Sequence, residues 1–406
     1  MNKLPNDWKI KTIKEVCNIY TGNSINKQKK EKNFIGLKEG LNYIGTKDIS
    51  FDNIINYDNG VKIPFKNLKD FKIAKSNSVL LCIEGGIAGR KIGFTNQDIC
   101  FGNKLCCFEA IEDAPKFIYY YLQSDYFLEY FYSNIQGLIG GITKEKIKQI
   151  KIPLPPLAIQ KQIAEKLDYL FDKIDKALKF LKENKEYIKK YRLSILKYAF
   201  EGKLTPSSKN WETKTLGEVC EINPKNKLDD NLEVSFIPMN LISDKFQNKF
   251  SYKIKNWKDV KKGYTHLQNN CIALAKITPC FENGKCVILR NLKNGYGAGT
   301  TELIILLPNS KKIIIEYIFY FMNTQHFIEQ GKRNFKGSVG QLRIGTDFVS
   351  NFKIPIPNIE TQKEIVSILD KKFKEMDEIE RLNNENIENL LLLKKSLLKE
   401  AFSGKL

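Results

Sequence analysis

The 406-residue sequence holds two histidines, His266 and His326, and only six arginines among 66 basic residues. So few imidazoles leave little material for histidine-based catalysis or zinc ligation. Nine cysteines are present, but no C-x-x-C occurs and Cys106 and Cys107 are adjacent, which is poor metal-ligand spacing. Cys100/Cys106 and Cys280/Cys286 share a gap that also suits small buried side chains on two strands. An odd cysteine count without a secretion signal predicts free thiols. Long apolar runs are missing too. "LIILL" at 303–307 and "IFYFM" at 318–322 are far too short to span a bilayer, and "MNKLPNDWKI" at the start has no apolar signal core. The expectation is a cytoplasmic chain with no metal and no membrane partner.

Catalytic signatures are equally scarce. The adenine methyltransferase tetrapeptide N-P-P-[YF] is absent, and "INPK" at 222–225 lacks the second proline and the aromatic. "GYGAGT" at 295–300 lacks the G-x-G-x-x-G spacing of a cofactor loop, and "GGIAGRK" at 85–91 has the wrong spacing for a phosphate loop, with no Ser or Thr after Lys91. Both read as turns. No His/carboxylate or Ser/His pairing supports a nucleophile.

What is present is length, apolar content and positive charge. With 42% hydrophobic residues the chain is globular, and its length suits two or three domains. A net charge of +20 favours a polyanionic partner such as nucleic acid; the alternative is a lysine-rich composition bias.

The chain is also a duplication. "KIPLPPLAIQKQIAEKLD" at 151–168 returns as "KIPIPNIETQKEIVSILD" at 353–370. "WKIKTIKEVCNI" from Trp8 returns as "WETKTLGEVCEI" from Trp211, and "ILKYAFEGKL" from Ile195 as "LLKEAFSGKL" from Leu397. The interiors diverge, with only a loose match of "YIGTKDIS" at 43–50 to "FIPMNLIS" at 236–243, at a shorter offset. A period of about 200 is too long for a solenoid, so this is a tandem domain duplication. The division is 1–152 first module, 153–204 first long helix, 205–354 second module and 355–406 second long helix. The modules read as α+β. Short strand-like runs such as "SVLLCIE", "KLCCFEA", "CIALAKI" and "ELIILLP" are followed by helical stretches at 115–131 and 315–331.

After Pro155 and Pro156, apolar residues fall at alternating steps of four and three: Ile163, Leu167, Leu170, Ile174, Ala177, Leu181, Ile188, Tyr191, Ile195 and Tyr198. That is a coiled-coil heptad, broken by Asn184. The second stretch keeps the register through Ile365, Leu369, Met376, Ile379, Leu390, Leu393 and Leu397, with Lys372 and Asn383 weakening it and Asn386 at the place of Asn184. A seam Asn lowers stability and selects one register. Gly202 and Gly404 are the expected C-caps. Two such helices joined through a whole domain can pair antiparallel, with pseudo-twofold symmetry. The competing reading is two amphipathic helices, each packing on its own module.

The order of variable module, I-P-[LI]-P helix start, variable module, I-P-[LI]-P helix start resembles the specificity subunit of type I restriction–modification systems. The residues that carry it are "KIPLPPLAIQKQI", "KIPIPNIETQKEI", the "AFEGKL" and "AFSGKL" ends and the "W…TLGEVC" module start. "ALAKITPCFENGKC" at 273–286 and "GYGAGTTELIILLP" at 295–308 resemble one class of target-recognition domain. The resemblance implies that each module reads one half of a split, asymmetric double-stranded DNA target. It implies that the helices dock two methyltransferase subunits, and that restriction subunits can join. It implies no catalysis and no cofactor on this chain, with S-adenosylmethionine and ATP/Mg on the partners. Two other classes compete: a fused restriction–methylation enzyme, which would need the missing methyltransferase motifs, and a coiled-coil adaptor binding RNA or protein.

Base edges are best read by Arg or Lys at guanine and by Asn or Gln at adenine. The arginines off the long helices, Arg90, Arg290, Arg333 and Arg343, are therefore informative, while Arg192 and Arg381 read as solvated or docking residues. The DNA-contact candidates in the first module are Thr46, Lys47, Arg90, Lys91, Asn103 and Lys104. In the second they are Lys276, Thr278, Asn283, Lys285, Thr300, Thr301, Lys336, Gln341 and Arg343. The "SINKQKKEKN" run at 24–33 reads as a flexible phosphate-contacting loop. For each, the alternative is a solvated surface side chain.

Overall fold

The computed structural model describes residues 4–136, 140–206, 211–244, 247–338 and 341–406. They form two compact units, residues 1–181 with 384–406, and residues 182–383. Among the described residues no helix is long and apolar enough to cross a membrane.

In the first unit a four-stranded antiparallel sheet runs in the order Cys17–Thr21, Leu105–Ala110, Val79–Cys82, Ile92–Phe94. Its central strands, Leu105–Ala110 and Val79–Cys82, are apolar at every position except Glu109 near the end of the first, because both faces are covered. Val79, Leu81, Cys106 and Phe108 enter a core shared with the helices, while Leu80, Cys82, Leu105 and Cys107 enter a second core. That second core belongs partly to a smaller sheet, ordered Lys62–Ile63, Leu41–Ile44, Ile99–Phe101, Ile73–Ala74, in which Leu41–Ile44 and Ile99–Phe101 run parallel.

The second unit repeats this plan. One sheet orders Cys220–Ile222, Leu303–Pro308, Cys271–Ala275, Cys286–Leu289, and the other Lys253–Asn256, Glu233–Ile237, Tyr296–Gly299, Thr265–Gln268. Glu233–Ile237 and Tyr296–Gly299 are its parallel pair. The loose match of 43–50 to 236–243 is thus a topological equivalence. Each segment is a strand of the parallel pair followed by a 3₁₀ turn, Thr46–Asp48 or Met239–Leu241.

The repeated ends close each module. Lys9–Thr12 pairs antiparallel with Lys151–Leu154, with Thr12 opposite Lys151; Glu212–Thr215 pairs identically with Lys353–Ile356, with Thr215 opposite Lys353. "KIPL" and "KIPI" are therefore strands, and the helices begin just after them. Pro153 and Pro355 are tolerated because a two-stranded ribbon has open edges. The threonine that ends each N-terminal strand opens a capping box: Thr12 N and Thr215 N donate to Glu15 and Glu218 at 2.7 and 2.6 Å.

Each expected helical stretch after the sheets is two helices. They are Pro115–Tyr121 and Asp125–Ser133 in one unit, and Ile315–Met322 and Gln325–Arg333 in the other. The breaks fall at Ser124 and Thr324, whose hydroxyls donate to the Tyr121 and Phe321 carbonyls at 2.7 Å. Local bonds of this kind compete with helix continuation.

Both long helices have 44 residues, Leu157–Phe200 and Ile359–Phe402, about 66 Å each at 1.5 Å per residue. The first supplies residues 157–181 to the first unit and 182–200 to the second; the second supplies 359–383 to the second unit and 384–402 to the first. They pair antiparallel inside each unit. In the first, Lys166 Nζ reaches the Leu406 carbonyl at 2.9 Å and Asp175 pairs with Lys394 at 2.5 Å. In the second, Asn184 Nδ2 donates to Asn383 Oδ1 at 3.4 Å and Arg192 pairs with Asp377 at 2.5 Å.

The buried stripe departs from a strict heptad. Ile163, Leu167, Ile174, Ile188, Ile195, Ile365, Leu369 and Met376 are buried, and Leu170, Leu181, Asn184, Leu390 and Leu397 are half-buried. Ile379, Asn386 and Leu393 are exposed, as are Tyr191 and Tyr198. Phe171, Leu178, Leu196 and Phe373 are buried in addition, and the asparagine in the seam of the second helix is Asn383. Two causes act: Phe171 and Phe373 are covered by module rings, Tyr120 and Tyr320, at 5.2 and 5.3 Å, and a straight helix drifts about 20° per heptad, so the covered positions walk away from a strict seven-residue repeat. Gly202 and Gly404 have φ of 71° and 74°. Lys203 N and Lys405 N donate back to the Tyr198 and Glu400 carbonyls, each at 2.9 Å, as a Schellman-type end requires.

Candidate nucleic-acid interface

The "AF-x-GKL" ends do more than cap. Phe402 is buried against Phe117 and Tyr121, with ring centroids 5.2 and 5.3 Å away. Phe200 packs against Tyr317 and Phe321 at 4.9 and 5.2 Å. Each module is therefore closed by the C-terminal phenylalanine of the long helix that begins on the other module. At the opposite ends, buried Gln160 and Gln362 donate to the Pro155 and Pro357 carbonyls at 2.9 Å, and Tyr120 and Tyr320 donate to Asp168 and Asp370 at 2.5 Å. The conserved spacing of Gln and Asp between the two repeats was the available signal for these anchors.

On this frame, the loops between strands bring candidate residues together. In the first module Lys91 Nζ donates to the Thr46 carbonyl at 3.0 Å. In the second, Lys285 Nζ donates to the Met239 and Ile242 carbonyls at 3.2 and 2.9 Å. Thr46 and Met239 open equivalent 3₁₀ turns, and Lys91 and Lys285 immediately precede equivalent strands. Both lysines thus fasten the same loop to the sheet, a role their sequence position did not reveal. Lys47, Arg90 and Asn103 are exposed nearby in the chain, and Thr46 is half-buried. The Arg90 guanidinium and Lys91 Nζ lie 5.2 and 5.0 Å from the centre of the Phe51 ring, within cation–π range.

A second cluster joins distant segments of the second module. Ile344 N donates to the Lys276 carbonyl, Lys276 N to the Glu302 carbonyl, and Thr278 N to the Leu342 carbonyl, at 2.9–3.0 Å. Lys336 and Arg343 exchange backbone bonds at 2.9 and 3.0 Å. Arg343 makes a bidentate pair with Glu302, Nε to Oε2 at 2.8 Å and Nη2 to Oε1 at 2.9 Å, and its Nη1 donates to the Gln341 carbonyl. This pairing holds the Glu302 carboxyl below its usual range and the Arg343 guanidinium above its own. Thr300 and Thr301 occupy the turn beside Glu302. Asn283 is exposed on the neighbouring turn.

Glu302 was not a candidate, and it changes the reading of Arg343, whose fork is already engaged. In the first module the equivalent turn carries Lys104, which pairs with Glu84 at 3.5 Å. The sign of the turn charge is inverted between the modules.

Other candidates lie elsewhere. Arg290 pairs with Glu316, and Arg333 ends the helix Gln325–Arg333. Arg192 bridges to Asp377 and covers the Phe373 ring, 5.1 Å from its centre, so it joins the paired helices; Arg381 pairs with Glu378. The lysine run at 24–33 contains a helix, Lys27–Asn33, instead of a loop. Asn26 caps it by accepting from Gln28 N at 2.9 Å, and no Gly or Pro interrupts it. Burial lowers Lys30, with Lys47 adding to the effect.

In "GYGAG", Tyr296–Gly299 is a strand: a Cβ at Gly297 would stand 2.5 Å from the Ser235 carbonyl oxygen and one at Gly299 3.1 Å from that of Ile237, so these two glycines serve close strand approach. Eight of the nine cysteines are buried, and burial pushes Cys100, Cys107, Cys220 and Cys271 up to about 12, which leaves them inert. Among the described residues no group of three or more His, Cys, Asp or Glu is placed to hold a metal.

The family model of the type I restriction modification DNA specificity domain matches residues 5–189 and again 208–389. The chain belongs to this family. It is 45% identical over 172 residues to the EcoAI specificity subunit of Escherichia coli, a match that spans 42% of this chain and 29% of that subunit. The StySPI specificity subunit of Salmonella potsdam is 24% identical, covering 100% of this chain and 90% of that one. The MjaVIII subunit of Methanocaldococcus jannaschii is 28% identical, covering 85% and 82%. Among solved structures, a chain of a type I R-M system superposes with a TM-score of 0.77 at 18% identity, over 100% of both chains. The HsdS subunit of Thermoanaerobacter tengcongensis gives 0.58 at 19%, over 100% and 98%. The two specificity domains thus share one fold with these chains.

Proposed function

We propose that this chain is the DNA-reading subunit of a type I restriction–modification complex, with one half of an asymmetric, bipartite target read by each module. The observation that carries this is the duplication of the specificity domain onto two complete modules whose loop clusters differ in charge. Thr46, Lys47, Arg90, Asn103 and Lys104 face the first half-site, with Lys91 fastening the loop that carries Thr46 and Lys47. Lys276, Thr278, Asn283, Thr300, Thr301, Lys336 and Gln341 face the second, with Lys285 and the Glu302–Arg343 pair positioning them. The long helices set the separation of the half-sites and carry two methyltransferase subunits, and restriction subunits can join. This chain performs no chemistry; S-adenosylmethionine and ATP with Mg are held by the partners.

The test is selection from a pool of randomised duplexes by the chain co-purified with a cognate type I methyltransferase subunit. The expected result is one split motif with two unlike halves and a fixed spacer. Uniform recovery of all sequences, or capture of RNA in preference to duplex DNA, would overturn the reading.

A further inference from the structure

Residues 49–55 of the first module form a tight, well-braced loop. Ile49 and Ile55 bridge across its base and are buried. Ser50 N donates to the Ile54 carbonyl at 2.9 Å, and Ser50 Oγ accepts from Asp52 N and Ile54 N at 3.2 and 3.1 Å. Asn53 takes a φ of 64° at the tip, and its Nδ2 donates to Gln123 Oε1 at 3.0 Å. This loop nevertheless exposes two large apolar side chains, Phe51 at 58% and Ile54 at 66%. A loop so braced could fold with polar residues at those positions, so their exposure calls for an occupant.

The neighbours identify it. Arg90 and Lys91 lie over the Phe51 ring, and Lys91 is tied to the loop that carries Thr46 and Lys47. An apolar tip with two cations over its Phe51 ring, and a single carboxylate, Asp52, between Phe51 and Ile54, matches a surface that is polyanionic with apolar spots. In the major groove of duplex DNA the apolar feature of a base edge is the thymine 5-methyl group, and the phosphates flank it. The cations occupy the ring's π face, which favours contact at its edge over stacking between bases.

We propose that Phe51, supported by Ile54, is a specificity-determining residue that covers the 5-methyl group of a thymine in the half-site read by the first module. This rests on the DNA-reading function proposed above. The pre-ordered loop limits the entropy lost on contact, Lys91 fastens the neighbouring loop, and Arg90 holds an adjoining phosphate or a guanine.

The experiment uses the full chain with its methyltransferase and duplexes carrying the selected target. Each thymine of the first half-site is replaced in turn by uracil, which lacks only the methyl group. One replacement should weaken wild-type binding about fourfold, the value of one buried methyl. Phe51→Ala should bind the unmodified target more weakly and lose that sensitivity, Phe51→Leu should retain part of it, and the second half-site should be unaffected by either variant. The proposal is overturned if no thymine of the first half-site is sensitive, if Phe51→Ala stays as sensitive as wild type, or if Phe51→Ala loses the methyltransferase while binding DNA normally. Wild-type binding that ignores sequence altogether would instead remove the DNA-reading function on which the proposal rests.

Discussion

Lys91 and Lys285 each fasten a loop within their own module. A lysine that donates to main-chain carbonyls holds a loop in place and gives up most of its reach toward a partner. Lys285→Met should therefore blur the choice of bases in the second half-site and leave the first unchanged. Reselection of the target with the variant measures this; a uniform loss of affinity on all sequences would mark Lys285 as a phosphate contact. Arg343→Ala should likewise alter only the second half-site, because it releases Glu302 into the turn that carries Thr300 and Thr301. The loop placement of the candidate Lys, Asn and Thr residues was legible in the sequence, since they stand out against an arginine-poor chain. Their pairing was not. Glu302 and Arg343 are 41 positions apart, and nothing in their local context marks them as neighbours. Which lysines bind carbonyls depends on sheet topology, which local pattern does not reach.

The elements were more legible than the side chains. Both long helices follow from their apolar spacing and glycine ends, and the central strands from their continuous apolar runs. The strict heptad overreached at Ile379, Asn386 and Leu393, where helical pitch moves the covered face onto neighbouring positions. The lysine run at 24–33 folded into a helix because Asn26 supplies a cap. The exchange of helix ends was also hidden: "AFEGKL" reads as a stop signal, while Phe200 and Phe402 act as plugs. Phe402→Ala should cost about 3–5 kcal/mol, as for other fully buried aromatics, measured by chemical denaturation. A change below 1 kcal/mol would mean the helix end is not held there. At the seam, Asn383 Nδ2 is buried with no hydrogen-bond partner among the described residues, and its Oδ1 accepts from Asn184 at 3.4 Å. The double change Asn184→Leu with Asn383→Leu should raise Tm by a few degrees and weaken selection of one helix register. Calorimetry with light scattering checks both, and a lowered Tm would show that the asparagine pair stabilises the seam.

At the scale of the molecule, a duplicated specificity domain explains why the ends of the repeat are fixed and its interiors are free. The ends build a ribbon, a helix start and an aromatic plug that both modules need, while the interiors build different loop clusters. A helix deletion separates these roles. Removing one heptad from each long helix shortens it by about 10 Å, or about three base-pair steps. The spacer should contract while both half-sites stay the same; altered half-sites would contradict the division of labour. The central claim is tested most directly by a base-modification map of DNA from cells expressing this chain with a cognate type I methyltransferase subunit, against cells with the methyltransferase alone. The account predicts methylated adenines at one split, asymmetric motif, present only when the chain is present. With both proteins soluble, the absence of any chain-dependent motif would contradict it.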